Sequence, residues 1–161
     1  MNLKPILQTK LYGMDLIFDE IVSLFNSNKL PNNILFSGSK GSGKSTMAYH
    51  FINYIFSVNE DHSYDIESNK IDVQNRSFKL VSSGLHPNFH LIDLIEDKKN
   101  IEISQIRNMI NYTNKSSFND LPKFILIDNV ENLNVNSLNA LLKIIEEPNK
   151  NVFFILIHND N

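Results

Sequence analysis

Gly38-Ser39-Lys40-Gly41-Ser42-Gly43-Lys44-Ser45 decides the reading of this chain. It follows an apolar run, Ile34 to Phe36, and opens an amphipathic segment at Lys44. Spacing and context match a phosphate-binding loop between a strand and a helix. Glycines at 38, 41 and 43 let the backbone wrap closely, so that successive N–H groups point inward, and the following helix adds its positive end to that anion nest. The expected cradle is Gly38, Ser39, Lys40, Gly41, Ser42 and Gly43, filled by the tail of a nucleoside triphosphate. Lys44 is expected to reach the β and γ phosphates. The hydroxyl of Ser45 is an expected Mg²⁺ ligand, since that ion prefers oxygen, and Thr46 stands beside it as an auxiliary.

Working outward, apolar positions Ile17, Ile21, Leu24 and Phe25 recur at helical spacing before the loop. After it, Ala48, Phe51, Ile52 and Ile55 form a second stripe, which predicts a helix packed on a sheet with its first turn facing phosphate. Residues 57–84 turn polar and Asn-rich, and read as a long, partly mobile insertion. A strand is expected over His86 to Asp93, then a helix carrying Ile103, Ile106 and Ile110 with Ser104 as its possible cap. Lys115 to Asp120 reads as a loop. Lys123-Phe-Ile-Leu-Ile-Asp128 has the unbroken apolar character of a parallel strand buried on both faces. Leu138, Leu141, Leu142 and Ile145 mark another helix, stopped by Pro148, and Val152 to Ile157 a fourth strand. The fold class is therefore α/β, a RecA-like P-loop domain with a central parallel sheet flanked by helices.

An apolar strand ending in Asp, behind a phosphate loop, places Asp128 at the carboxyl edge, where it holds Mg²⁺ through water. The next position carries Asn129, where hydrolysing proteins of this pattern usually have Glu. A neutral amide orients water but cannot take its proton, so intrinsic hydrolysis is expected to be weak or absent. Glu131, two residues on, is a candidate substitute for that Glu, but reads more readily as a solvated helix or loop residue. His158 and Asn159 end the fourth strand on the same edge and are candidates to sense the γ-phosphate.

Net charge is −3 over 161 residues, with acids and bases interspersed, so no overall basic field recruits nucleic acid. Helix residues such as Lys143 are within the residue types that can meet a phosphate backbone, although lysines on a helix face are usually only solvated. Cysteine is absent, which excludes disulfides and thiolate zinc sites, and the lone histidines His62, His86 and His90 bring no supporting ligands. No apolar run approaches membrane-spanning length and no signal-peptide core opens the chain, so no membrane role and a cytoplasmic location are expected.

The set GSKGSGKS, HPNFHLID, ISQIR and KFILIDNVENLNVNSLNALLKIIEEPNKNVFFILIHN resembles the bacterial clamp loader subunits, and most of all the delta prime subunits of DNA polymerase III. Asn139 to Pro148 is close to that family's NALLKxLEEP signature. The resemblance implies an AAA+ domain over residues 1–161, binding ATP or ADP with Mg²⁺ and without zinc. It implies gamma/tau and delta subunits as partners, reached in a ring that opens the sliding clamp and places it on primed DNA. Within the DNA polymerase III holoenzyme, a DNA-directed DNA polymerase, such a subunit leaves hydrolysis to its neighbours. Gamma and tau subunits normally carry Asp-Glu at the strand end and a cysteine zinc module, and Asn129 and the cysteine-free insertion depart from both. The alternatives are a gamma/tau-type ATPase, another AAA+ motor, or a P-loop kinase, for which no acceptor site is evident. The family's arginine motif, fifth strand, lid and collar lie beyond the last residue. On that pattern the loop-bearing strand is expected to be an open sheet edge, and the chain an N-terminal fragment or a truncated reading frame, marginal or aggregation-prone alone.

Overall fold

The four apolar runs become four parallel strands in a computed structural model that describes residues 4–160. In chain order the elements are α1 (Asp15–Asn26), β1 (Asn33–Ser39), α2 (Lys44–Phe56), α3 (Arg76–Ser82), β2 (Phe89–Ile92), α4 (Ile103–Thr113), β3 (Lys123–Ile127), α5 (Val135–Glu146) and β4 (Val152–Asp160). Short 3₁₀ turns lie at Pro5–Leu7 and Val130–Asn132. The chain divides into two compact units. One holds the stretch up to Leu30 together with Gly43–His86; the other holds Pro31–Ser42 and everything from Pro87 onward.

The sheet unit has strand order β1-β4-β3-β2. All five residues of β3 are buried, which its unbroken apolar run anticipates. Ile106 and Met109 of α4 and Leu141 of α5 join Ile92, Ile125, Ile127, Val152 and Phe154 in one apolar cluster. At about 25 cal/mol per Å², burying such side chains is the main force holding these helices to the strands. Glu102, not Ser104, caps α4: its carboxylate takes the amide of Gln105, whose side chain accepts from the Glu102 N–H at 3.0 Å. Asn134 caps α5 by accepting from Ser137 N–H at 2.9 Å. Lys123 is the one charged residue of β3, and its ammonium donates to the carbonyls of Tyr112, at 2.8 Å, and Lys115. It thus satisfies the end of α4, where carbonyls lack helical partners. β1 lies at the end of the strand order, paired with β4 alone, and its side chains alternate between exposed and half-buried.

In the helical unit α2 is buried on nearly every side, not along a single stripe. Phe51 meets Phe25 of α1 edge-on, with centroids 5.9 Å apart. The buried face of α1 is Phe18, Ile21 and Val22, while Ile17 from the expected stripe is exposed. Residues 57–84 differ most from expectation. They contain α3 and three buried apolar residues, Tyr64, Ile71 and Val81. Their order comes from side chains bonded to backbone. Glu60 accepts from the N–H groups of Arg76 (2.9 Å) and Ser77 (3.2 Å), Asn75 accepts from Phe78 N–H (2.7 Å), and Asp65 accepts from Ser68 N–H (3.2 Å). Hydropathy periodicity does not register such bonds.

Candidate nucleotide site at the strand edge

β1 carries the chain into the glycine-rich loop at Gly38, whose φ is 147°; Gly41 follows at φ 81° and Gly43 at φ 91°. The last two occupy left-handed backbone that residues with a Cβ avoid, which is why this turn needs glycine. Ser42 N–H donates to Ser39 O at 3.3 Å, and Ser39, Lys40, Gly41 and Ser42 are exposed. A Cβ placed on Gly38 or Gly41 would meet nothing within 4 Å, so the loop is open to a ligand on that side.

The division between the units falls inside the loop, between Ser42 and Gly43. Gly43 occupies the N-cap position of α2 and offers no side chain to the first-turn amides, a set suited to an anion. Lys44 is only 6% exposed, at the first residue of α2, while Ser45 and Thr46 are half-buried beside it. These residue types fit a phosphate tail and an oxygen-loving cation.

The sheet unit gathers a second group at its carboxyl edge. Gly38 is the register partner of Asn159, and Ile127 that of Ile92, so the ends of all four strands lie on one edge. Asp128 follows β3, half-buried; its N–H donates to Ile92 O and its Oδ1 accepts from Asn129 N–H, both at 2.9 Å. Asn129 adopts left-handed backbone, φ 57° and ψ 47°, which an asparagine tolerates better than most residues.

Side chains then link the strand ends. Asn129 Nδ2 donates to Asp93 Oδ1 at 2.7 Å, and Asn129 Oδ1 accepts from Asn159 Nδ2 at 3.0 Å. Glu131 closes the row by accepting from Asn159 N–H at 3.1 Å and from Asn159 Nδ2 at 3.3 Å. Glu131 is therefore a built-in acceptor, which corrects its reading as a solvated residue. His158 turns instead toward Ser37 Oγ, 3.0 Å away, and Asp160. Asp93 escaped the sequence reading, although Phe-His-Leu-Ile-Asp93 ends in the same apolar-then-Asp pattern that singled out Asp128.

Residues 14–161 match the model of the family described as DNA polymerase III, delta subunit. The chain belongs to that family. Among curated members, the delta' subunit of Bacillus subtilis is 31% identical over 137 residues, covering 83% of this chain and 39% of its own length. The gamma subunit of Buchnera aphidicola from Schizaphis graminum is 33% identical over 155 residues, covering 94% and 39%. The chain thus spans about two fifths of the length of these relatives. A crystal structure of a DNA polymerase III gamma subunit-related protein from Thermotoga maritima superposes with a TM-score of 0.57 at 17% identity, covering 88% of this chain and 40% of its own, and shares the fold. Among the described residues, no helix is long and apolar enough to cross a membrane.

Proposed function

We propose that this chain is the nucleotide-binding domain of a delta prime-like clamp loader subunit, which binds ATP or ADP with Mg²⁺ and helps place the sliding clamp on primed DNA. The observation that carries this reading is the complete GSKGSGKS sequence following β1, with Gly41 and Gly43 in left-handed backbone, in a chain of the DNA polymerase III delta subunit family. In this reading the amides of Gly38 to Gly43 hold the phosphates, and Lys44 neutralises the β and γ groups. Ser45 ligates the metal directly, Asp128 supports it through water, and Thr46 stands beside Ser45. Of the two sensing candidates this reading takes Asn159, which is in register with Gly38.

Asn129 lacks a carboxylate, so nucleotide acts through assembly more than through its own turnover. Gamma/tau and delta subunits are the proposed partners, and the cytoplasm the proposed compartment. A second reading, a gamma-type ATPase, is favoured by gamma relatives that match as much of the chain as the delta' ones.

Co-purification of the tagged chain with the clamp loader subunits of its own organism, with and without Mg²⁺ and ATP, tests the proposal. Defined stoichiometry with nucleotide dependence supports it. Multiple turnovers by the chain alone, lost in Asp128→Ala, would favour the gamma-type reading.

A further inference from the structure

At the amino edge of the sheet, where β3 begins at Lys123 and β4 at Val152, a cavity of about 300 Å³ opens among Lys115, Ser116, Ser117, Lys123, Asn149 and Lys150. That volume is at the low end of the range of about 300–1,000 Å³ typical of ligand pockets. The cavity is lined by three lysines and no carboxylate. None of these lysines forms an ion pair among the described residues. Lys123 is 2% exposed, and the carbonyls of Tyr112 and Lys115 take two of the three protons its ammonium can donate. Both acceptors are neutral. The carbonyl end of α4 offsets about half a charge, so the buried cation keeps a surplus, to which Lys115 and Lys150 add. Burial and the neighbouring Lys115 both push the Lys123 ammonium's pKa down, the response of a cation with no anion beside it.

The wall is fixed before any ligand arrives. Buried Asn88 accepts from Phe118 N–H at 2.8 Å and donates to Phe118 O at 2.7 Å, which pins the loop just after Ser117. Asn149 donates to Thr113 O at 3.2 Å. Ser116 and Ser117 add hydroxyl donors, and Lys115 and Lys150 are exposed, so their charge is open to a ligand from solvent. Capping the end of α4 accounts for Lys123, but calls for neither of the other lysines nor for the cavity.

We propose that the cavity shared by Lys115, Lys123 and Lys150 is a second anion site, which takes a phosphate group carried by a free ion or by a nucleic-acid strand. It lies at the opposite ends of the strands from Asp93, Asn129 and Asn159, and does not rest on the nucleotide-binding reading above. Lysine ammoniums grip phosphate oxygens through charge-assisted bonds, and the serine hydroxyls complete the donor set.

The test titrates inorganic phosphate into the full chain carrying Lys44→Ala, which weakens the glycine-rich loop as a competitor, at ionic strength held constant with chloride. Backbone amide NMR shifts of Ser116 and Ser117 are followed. They should move and saturate, with half-occupancy at or below about 5 mM. Adding Lys115→Gln and Lys150→Gln, both at exposed positions, should weaken the response at least about tenfold while the melting temperature stays unchanged. A short oligothymidine is the second probe. Half-saturation at least about tenfold lower than for phosphate makes a nucleic-acid strand the source; otherwise the free ion is. Absence of saturating shifts with both probes would overturn the proposal, as would equal shifts from chloride alone or an affinity indifferent to the two lysine substitutions. Because the readout sits on Ser116 and Ser117 in a Lys44→Ala chain, failure here leaves the nucleotide reading untouched, and failure of that reading leaves this site standing.

Discussion

Gly38, the first glycine of the loop that follows β1, lies in register with Asn159 across the parallel ladder of β1 and β4. This one pairing sets the loop beside the row of side chains that ends at Asp93. Asn159 is also the residue that ties β4 to Asn129, after β3, and to Glu131.

Lys44→Ala should weaken ATP binding by about 100-fold, the scale of one lost charge-assisted contact to phosphate of about 3 kcal/mol. A fluorescent ATP-analogue titration reads this directly. Unchanged affinity would mean that the loop does not hold the triphosphate.

Asn159→Ala removes the donor shared by Asn129 and Glu131 and should cost about 1 kcal/mol, or a fall of about 2–4 °C in melting temperature. Asn159→Asp should cost more at neutral pH, because it faces Glu131 with another carboxylate. That excess should shrink as pH falls toward the carboxylate range, which melting at pH 7 and pH 4.5 would reveal.

Two buried histidines make the helical unit acid-sensitive. His50 is fully buried, bonded through its ring nitrogens to Tyr64 Oη (2.9 Å) and Gln8 O (3.1 Å), and burial lowers its pKa to about 4. His86 stacks on Phe56 at 3.9 Å, and burial lowers it to about 4 as well. Both lie below the ordinary 6.5, so between those values the unfolded chain holds more protons. Their stabilising contribution is complete above pH 6.5 and is lost as pH falls to about 4, on the order of 1–3 kcal/mol for each. Urea unfolding across this window should show the slope, and His86→Phe, which keeps a ring against Phe56, should flatten part of it.

Lys123 is 2% exposed, and its ammonium sits 4.6 Å from the centroid of the Tyr112 ring as well as on the carbonyls that end α4. Lys123→Met keeps most of the stem but takes the ammonium away from those carbonyls, of which Tyr112 O keeps its bond from Lys115 N–H at 3.2 Å, and should destabilise the chain by about 1 kcal/mol. An unchanged denaturation midpoint would show that solvent satisfies them equally well.

The strands and the loop were legible because their signals are local: an unbroken apolar run for β3, glycines at fixed spacing for the turn, Asp128 closing its strand. The segment 57–84 was not, because Glu60, Asp65 and Asn75 order it by bonding to backbone groups up to 17 residues away. The cap of α4 was misplaced by two residues, since a glutamate at the N-cap is a weaker signal than a serine. Asp93 was missed and Glu131 misread for a related reason. Each gains its meaning from a neighbour brought close by strand pairing, at sequence separations of 36 and 28 residues. A pattern read along one strand carries no trace of the next.

The most direct measurement is calorimetric titration of the chain with ATP and Mg²⁺, with Lys44→Ala as control. One site per chain is expected, strengthened by Mg²⁺ and lost in the control. Absence of binding under both conditions, in a chain that melts cooperatively, would contradict it.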